Sequence, residues 1–397
     1  MQRSCATLSS DSPDLPRDGG QSPLPYGRQS VSEQDIAAVV DVLRGDWLTT
    51  GPAVTRFEAA LAAWAHAPAV VVSSGTAALH TAYAAVGIGP GDEVVTSPMT
   101  FVATAAAATM LGAQVVFADI EPDTGNLDVE AAAAAVTVST AVIAAVDYAG
   151  HPVEADALAA LARDSGALFV EDAAHSVGGS WHGRPVGSLA DLTTFSFYPT
   201  KNLTTAEGGA VTGSDPELLG RARRFRNHGL VRERDHLRHP DEGGWHQEVH
   251  ELGLNYRLPD VLCALGISQL ARLGEFKRRR THIVAAYNAA FTDLDSVSTP
   301  PCRQGADPAW HLYPLRVHDG RRRALYDALR GRGILAQVNY VPVHWHPIYE
   351  DLGYRRGMCP RAEEFYAQQL SLPLFPAMDD YDVERVVSTV RAFFRHP

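Results

Sequence analysis

The sequence predicts an α/β fold, a parallel sheet with helices on both faces, followed by a smaller α+β unit. Three observations carry that expectation. From residue 69 onward, short apolar runs alternate with segments of helical periodicity, as in a parallel sheet buried on both faces. At 397 residues the chain is too long for one compact core and suits a large unit plus a smaller one. Beyond about residue 275 the alternation gives way to a basic helix, a proline-rich link and mixed strands and helices.

In chain order, residues 1–22 are rich in Ser, Asp, Pro and Gly and read as a disordered tail. A large unit then spans 23–275. Ser32-Glu33-Gln34-Asp35 opens a helix with a capping-box pattern, and Ile36, Val39, Val40 and Leu43 follow at helical spacing. Strands are expected over 69–72, 93–96, 114–118, 141–146, 168–170 and 192–197, with helices over 77–86, 104–111 and 154–162. The polar run 228–250, rich in Arg, His and Gly, reads as a long loop. The smaller unit, 276–397, is expected to hold helices over 276–290 and 321–330 and strands over 312–317 and 335–339. It closes on an amphipathic helix through Val383, Val386, Val387, Val390 and Phe393.

Charge narrows the function classes. There are 34 Lys+Arg against 46 Asp+Glu, a net charge of −12. Wrapping nucleic acid or docking on an anionic membrane needs a basic stripe, which this chain lacks. An anionic small substrate is compatible only where a few arginines converge. The four cysteines (Cys5, Cys263, Cys302, Cys359) are scattered with no CxxC pair, so they read as free thiols in a reducing, cytoplasmic setting. The N-terminus has no long apolar core of the signal-peptide kind. The most apolar long run, 102–118, is broken by Thr109, Gly112 and Gln114 and reads as a buried helix followed by a strand, not a membrane span.

Three places could carry chemistry. In "VVVSSGTAALH" a strand runs through Ser73-Ser74-Gly75-Thr76 straight into a helix. Free N–H groups and the helix dipole make such a turn an anion site, although an ordinary capped turn would look the same. In "ALFVEDAAHSVGG" Asp172 falls at a strand end, where it either caps the next loop or needs a partner to offset its burial. His175 is a core histidine, a base or a ligand. Lys201, in "TTFSFYPTKNLTTAEGG", follows Asp172 by 29 residues, about one strand-helix excursion and return. It is either a solvated loop lysine or a partly buried one that has become nucleophilic.

Taken together, a phosphate turn, a buried acid and a delayed lysine are what pyridoxal 5'-phosphate (PLP) requires. A unit charge pair ~4 Å apart at an effective dielectric of ~20 is worth ~4 kcal/mol. That is roughly three pKa units, enough for Asp172 to keep a pyridine ring nitrogen protonated at neutral pH. No metal is expected. His236, His239, His246 and His250 fit no zinc spacing, and in His344-Trp345-His346 one histidine lining the site is the better reading.

The chain resembles the DegT/DnrJ/EryC1/StrS family of sugar aminotransferases. The resemblance rests on "PYGRQSVSEQDI", "WLTTGPAVTRFE", "SSGTAALH", "GPGDEVVTSPMTFVATA", "VEDAAHSVGG", "FSFYPTKNLTTAEGG", "RNHG", "LGLNYRLPDVLCALGISQL" and "YVPVHWHP". It implies a PLP fold-type I enzyme with a mainly parallel seven-stranded sheet. It also implies that Lys201 carries the cofactor aldehyde, Asp172 meets the ring nitrogen, His175 lies near the ring hydroxyl and Phe101 stacks on the ring. Gly75, Thr76 and Ser196 would hold the phosphate, and Asn255 would reach the cofactor phosphate of a neighbouring subunit, making the active unit a homodimer. Arg28, Arg257, Tyr340 and His344 are candidates for the substrate. Related sugar dehydratases carry histidine at the lysine position, so Lys201 favours transamination. The opening motif and the Thr-Thr-Gly-Pro turn are most similar to the subgroup that aminates C4 of nucleotide-linked 4-keto-6-deoxy sugars, as in pseudaminic acid biosynthesis, with glutamate as donor. The rival readings are a C3 nucleotide-sugar or keto-inositol aminotransferase and a PLP-binding regulator without turnover.

Overall fold

The computed structural model describes residues 22–395; the expected tail, residue 22 apart, lies outside them. Seven strands build the central sheet: β1 (Ala69–Val72), β2 (Glu93–Thr96), β3 (Gln114–Phe117), β4 (Thr140–Val146), β5 (Leu168–Asp172), β6 (Leu192–Ser196) and β7 (Gly209–Thr212). Their order across the sheet is β1-β7-β6-β5-β4-β2-β3. All neighbours are parallel except β7, which runs antiparallel to both β1 and β6. β7 has no counterpart among the expected strands. Its direction follows from its connection: residues 197–208 hold no helix to carry a crossover, so the chain turns back on itself. Lys201 sits in that return. Gly209 lets β7 lie close, since a Cβ there would come within 2.4 Å of the Ser74 carbonyl oxygen.

Successive side chains along each strand enter opposite cores. Val70, Val94, Val142, Val170 and Val211 face one, and Val71, Val95, Ile143, Phe169 and Ala210 the other. On the first face pack α3 (Gly75–Val86) and α4 (Ala103–Met110). The other face is covered by helices that include α2 (Pro52–Ala65), which follows α1 (Glu33–Arg44), and Ala155–Ser165. The expected capping box at Ser32 is present: its Oγ accepts from Asp35 N at 3.3 Å, and Ser32 N donates to Asp35 at 2.7 Å.

A third core gathers Ile283, Tyr287 and Phe291 from the helix Leu273–Phe291, Leu325, Leu329 and the closing helix Asp380–Arg395. Tyr313–Val317 pairs antiparallel with Val297–Ser298 and Gln369–Leu372. We propose this core as the body of the smaller unit; Leu24 packs into it from the N-terminal side.

Two expectations are corrected. The strand over 335–339 shrinks to Ile334–Leu335, paired parallel with Leu24–Pro25. Beyond it Gln337 makes only an isolated bridge to Ser371, and Asn339 and Tyr340 reach the site cavity instead. The run 228–250 is a hairpin, not a plain loop: Leu230–Val231 pairs with Glu248–Val249. Glu248 organises its histidines, lying 3.1 Å from His246 Nε2 and 2.5 Å from His250 Nε2 and accepting the backbone N–H groups of Arg238 and His239. Among the described residues no group of side chains is arranged to hold a metal, and no helix is long and apolar enough to cross a membrane. Cys263, Cys302 and Cys359 are free; Cys5 lies outside the described residues.

Candidate active site

The site is a cavity of about 430 Å³ at the carboxyl ends of β1, β5 and β6, where open α/β sheets gather ligands. Its first wall is the turn between β1 and α3. Ser74 caps α3, its Oγ accepting from Ala77 N at 3.0 Å, and Gly75 opens the helix. Ser196 ends β6 against the same turn. A Cβ at position 75 would lie 2.7 Å from Ser196 Cβ, so only glycine leaves this cradle open.

Asp172 ends β5 and is buried. Alternation along the strand sends its neighbour Glu171 to the opposite side, where Thr193 Oγ1 donates to it at 2.9 Å. The Asp172 carboxylate accepts from Ala174 N at 3.1 Å and from Thr104 Oγ1 at 2.7 Å. Burial pushes its pKa above the usual carboxylate range, while the Thr104 and Ala174 hydrogen bonds and the charge of Lys201 pull it back.

Lys201 is fixed by its own turn, its N–H donating to the Tyr198 carbonyl at 2.9 Å. Burial lowers the pKa of its ammonium group to about 8, against the opposing pull of Asp172. The amine is therefore about one-tenth neutral at pH 7 and half neutral near pH 8. The apoprotein should accordingly combine with an aldehyde several-fold faster at pH 8 than at pH 7 and level off above about pH 9. Stopped-flow absorbance at constant aldehyde concentration checks this; a rate still climbing in proportion at pH 10 contradicts it.

The remaining walls are aromatic. His175 Nε2 lies 3.1 Å from the Tyr340 hydroxyl, and the two rings stack at 26°. The His311 ring packs against His175 with centroids 4.5 Å apart. Burial lowers the pKa of both imidazoles well below the usual histidine value, keeping them neutral. Phe101 is 57% exposed and lines the cavity, meeting Tyr340 edge to face at 5.9 Å, so it is not a core phenylalanine.

The structure thus brings Gly75, Thr76, Phe101, Asp172, His175, Ser196, Lys201 and Tyr340 to one cavity. It does not bring four other candidates there. Arg28 is exposed, while Tyr26, two residues earlier, lines the cavity. Asn255 is exposed and bridges to Asn227. Arg257 donates to Asn227 Oδ1 at 2.8 Å and lines a second cavity of about 570 Å³ with Arg223, Arg226 and Arg232. His344 is buried against Phe117, its Nε2 2.9 Å from Glu363. Thr104 and His311 are not among the expected site residues. Both line the cavity, and nothing local in the sequence marks either.

The chain's own residues fit PLP. The cradle at Gly75 would be filled by any side chain, a buried acid and a low-pKa amine share one cavity, and His175 Nδ1 is left without a partner. A mainly parallel sheet bearing this site defines a PLP-dependent aminotransferase of fold-type I. More particularly, the chain belongs to the DegT/DnrJ/EryC1/StrS aminotransferase family, whose profile matches residues 29–391. It is 40% identical to the spore coat polysaccharide biosynthesis protein SpsC of Bacillus subtilis, covering 93% of this chain and 96% of that one. It is 36% identical to the UDP-4-amino-4,6-dideoxy-N-acetyl-beta-L-altrosamine transaminase of Campylobacter jejuni, covering 92% and 96%. Among solved structures it matches PseC of Helicobacter pylori, an aminotransferase of pseudaminic acid biosynthesis. That match has a TM-score of 0.88 at 31% identity and covers 94% of this chain and all of the other.

Proposed function

We propose that this sugar aminotransferase moves an amino group from glutamate to C4 of a nucleotide-linked 4-keto-6-deoxyhexose. The observation that carries the C4 reading is the likeness, over more than nine-tenths of the chain, to the Campylobacter transaminase, whose own name places the amine at C4.

When bound, PLP supplies an electron sink for the charge left as a proton leaves the carbon bearing the nitrogen. The chain does the rest. Gly75, Thr76 and Ser196 would hold the phosphate and Lys201 Nζ the aldehyde carbon. Phe101 would cover one ring face, and His175 would stand by the ring hydroxyl. Asp172, ionised and buried, would keep the proton on the ring nitrogen. Lys201 Nζ, when neutral, would be the group that takes up and gives back the proton of the substrate carbon. Its lowered pKa leaves a usable fraction of neutral amine at pH 7–8.

The same reading makes the active unit a homodimer. Asn255 lies outside its own chain's lysine cavity and is free to reach the cofactor phosphate of a neighbour. Val31, Ile36, Leu43, Trp47 and Leu48 are exposed apolar side chains that such a contact would cover. On this homodimer reading, Arg257 and Arg232 of the second cavity would supply positive charge to a substrate diphosphate in a protein of net charge −12.

The test is amination of a panel of nucleotide-linked 4-keto and 3-keto sugars and a keto-inositol, with glutamate as donor, read by mass spectrometry. The proposal predicts a 4-amino product. Amination confined to a 3-keto sugar or the cyclitol sinks the C4 assignment, and no amine transfer to any acceptor favours a binding protein.

A further inference from the structure

Asp172 accepts two hydrogen bonds from this chain, and one comes from a side chain that its sequence position did not advertise. Thr104 is fully buried in the first turn of α4. Its Oγ1 lies 2.7 Å from Asp172 Oδ2, 2.8 Å from Thr100 Oγ1 and 3.4 Å from the Phe101 carbonyl. A hydroxyl has one hydrogen to give. At these distances the carboxylate takes it, because an ionised acceptor forms the shorter and stronger bond. Thr104 is then left with lone pairs only toward Thr100, so Thr100 is the donor in that pair. The polarity of the chain is thereby set: Thr100 to Thr104 to Asp172. Each bond polarises the next. Tyr83 pins the other side of Thr104, its hydroxyl donating to the Thr104 carbonyl at 3.1 Å.

We propose that Thr104 is a positioning residue for transamination: backed by Thr100, it orients the Asp172 carboxylate and holds it ionised. The proposal rests on the reading of Asp172 as the acid at the cofactor ring nitrogen. Removing the donor leaves Asp172 with the Ala174 N–H alone, in surroundings that already disfavour its charge. A hydrogen bond to a charged group is worth about one to two pKa units. Without it, the proton between carboxylate and ring nitrogen moves toward Asp172 by a factor of about ten to one hundred.

The test uses the PLP-loaded enzyme carrying ¹⁵N at the ring nitrogen, whose chemical shift reports protonation independently of turnover. Wild type should read as protonated and Asp172→Asn as unprotonated. Thr104→Val, which keeps the side-chain shape, should move the signal toward the unprotonated value and lower kcat about ten- to one-hundredfold with little change in KM. Thr104→Ser should restore both readouts, and Thr100→Val should give a smaller shift in the same direction. Should Thr104→Val fail to fold, Thr100→Val carries the test alone, and an unshifted signal overturns the proposal. With folded Thr104→Val, a wild-type signal also overturns it, leaving the role of Asp172 intact. A wild-type enzyme that is itself unprotonated overturns the reading of Asp172 and this proposal with it.

Discussion

Lys201→Ala should lower turnover by at least about 10⁴-fold, the upper end of what one positioned proton carrier contributes. The substitution removes the only lysine amine that lines the cavity among the described residues and, on the proposed mechanism, both the covalent hold on the cofactor and the base at the substrate carbon. Arginine should not restore the rate, because it stays protonated at any working pH. A small added amine should restore part of it, since the cavity keeps its other walls. The apoprotein gives an independent check. In the folded chain the ammonium group's pKa is lowered to about 8 from an ordinary value of 10.5. The unfolded chain therefore binds that proton more tightly between these values, and this group's contribution to stability rises as pH rises through the window. Lys201→Ala should flatten that rise. Steady-state rates and thermal unfolding between pH 7 and 11 measure both effects.

Asp172→Asn should lower turnover by about 10³-fold, the equivalent of the ~4 kcal/mol that a charge pair provides at ~4 Å and an effective dielectric of ~20. Unfolding is not the cause foreseen. Burial raises the Asp172 pKa in the folded chain, so the unfolded chain gives up that proton first, and the group's contribution to stability falls as pH rises through the shifted range. An uncharged isostere should thus leave the neutral-pH apoprotein at least as stable as wild type. A large rate loss with an unchanged or raised Tm is the expected pair of results. A rate loss that tracks a fall in Tm contradicts the assignment.

The sheet was legible because its strands are short, apolar and bounded by turns; β1 and β2 fall on the residues that the pattern marks. β7 carries no such mark because Gly209–Thr212 opens on the glycine that closes the polar return and its direction depends on tertiary pairing. The lysine cavity was legible where a local signal coincides with a strand end: Gly75 at a strand-to-helix turn, Asp172 at the last position of β5, Lys201 just past β6. Arg28, Asn255, Arg257 and His344 carry no such signal. Their places depend on how distant segments pack, and in one chain they lie outside the lysine cavity. Thr104 and His311 belong to the same class, because burial beside Asp172 and His175 cannot be read from their neighbours in sequence.

The central claim is that Lys201 Nζ carries the cofactor. Borohydride reduction of the PLP-loaded protein, followed by proteolysis and mass mapping, tests it most directly. The account predicts one stoichiometric pyridoxyl adduct, on the peptide containing Lys201. An adduct on another lysine, or none on a sample whose absorbance shows bound cofactor, contradicts it.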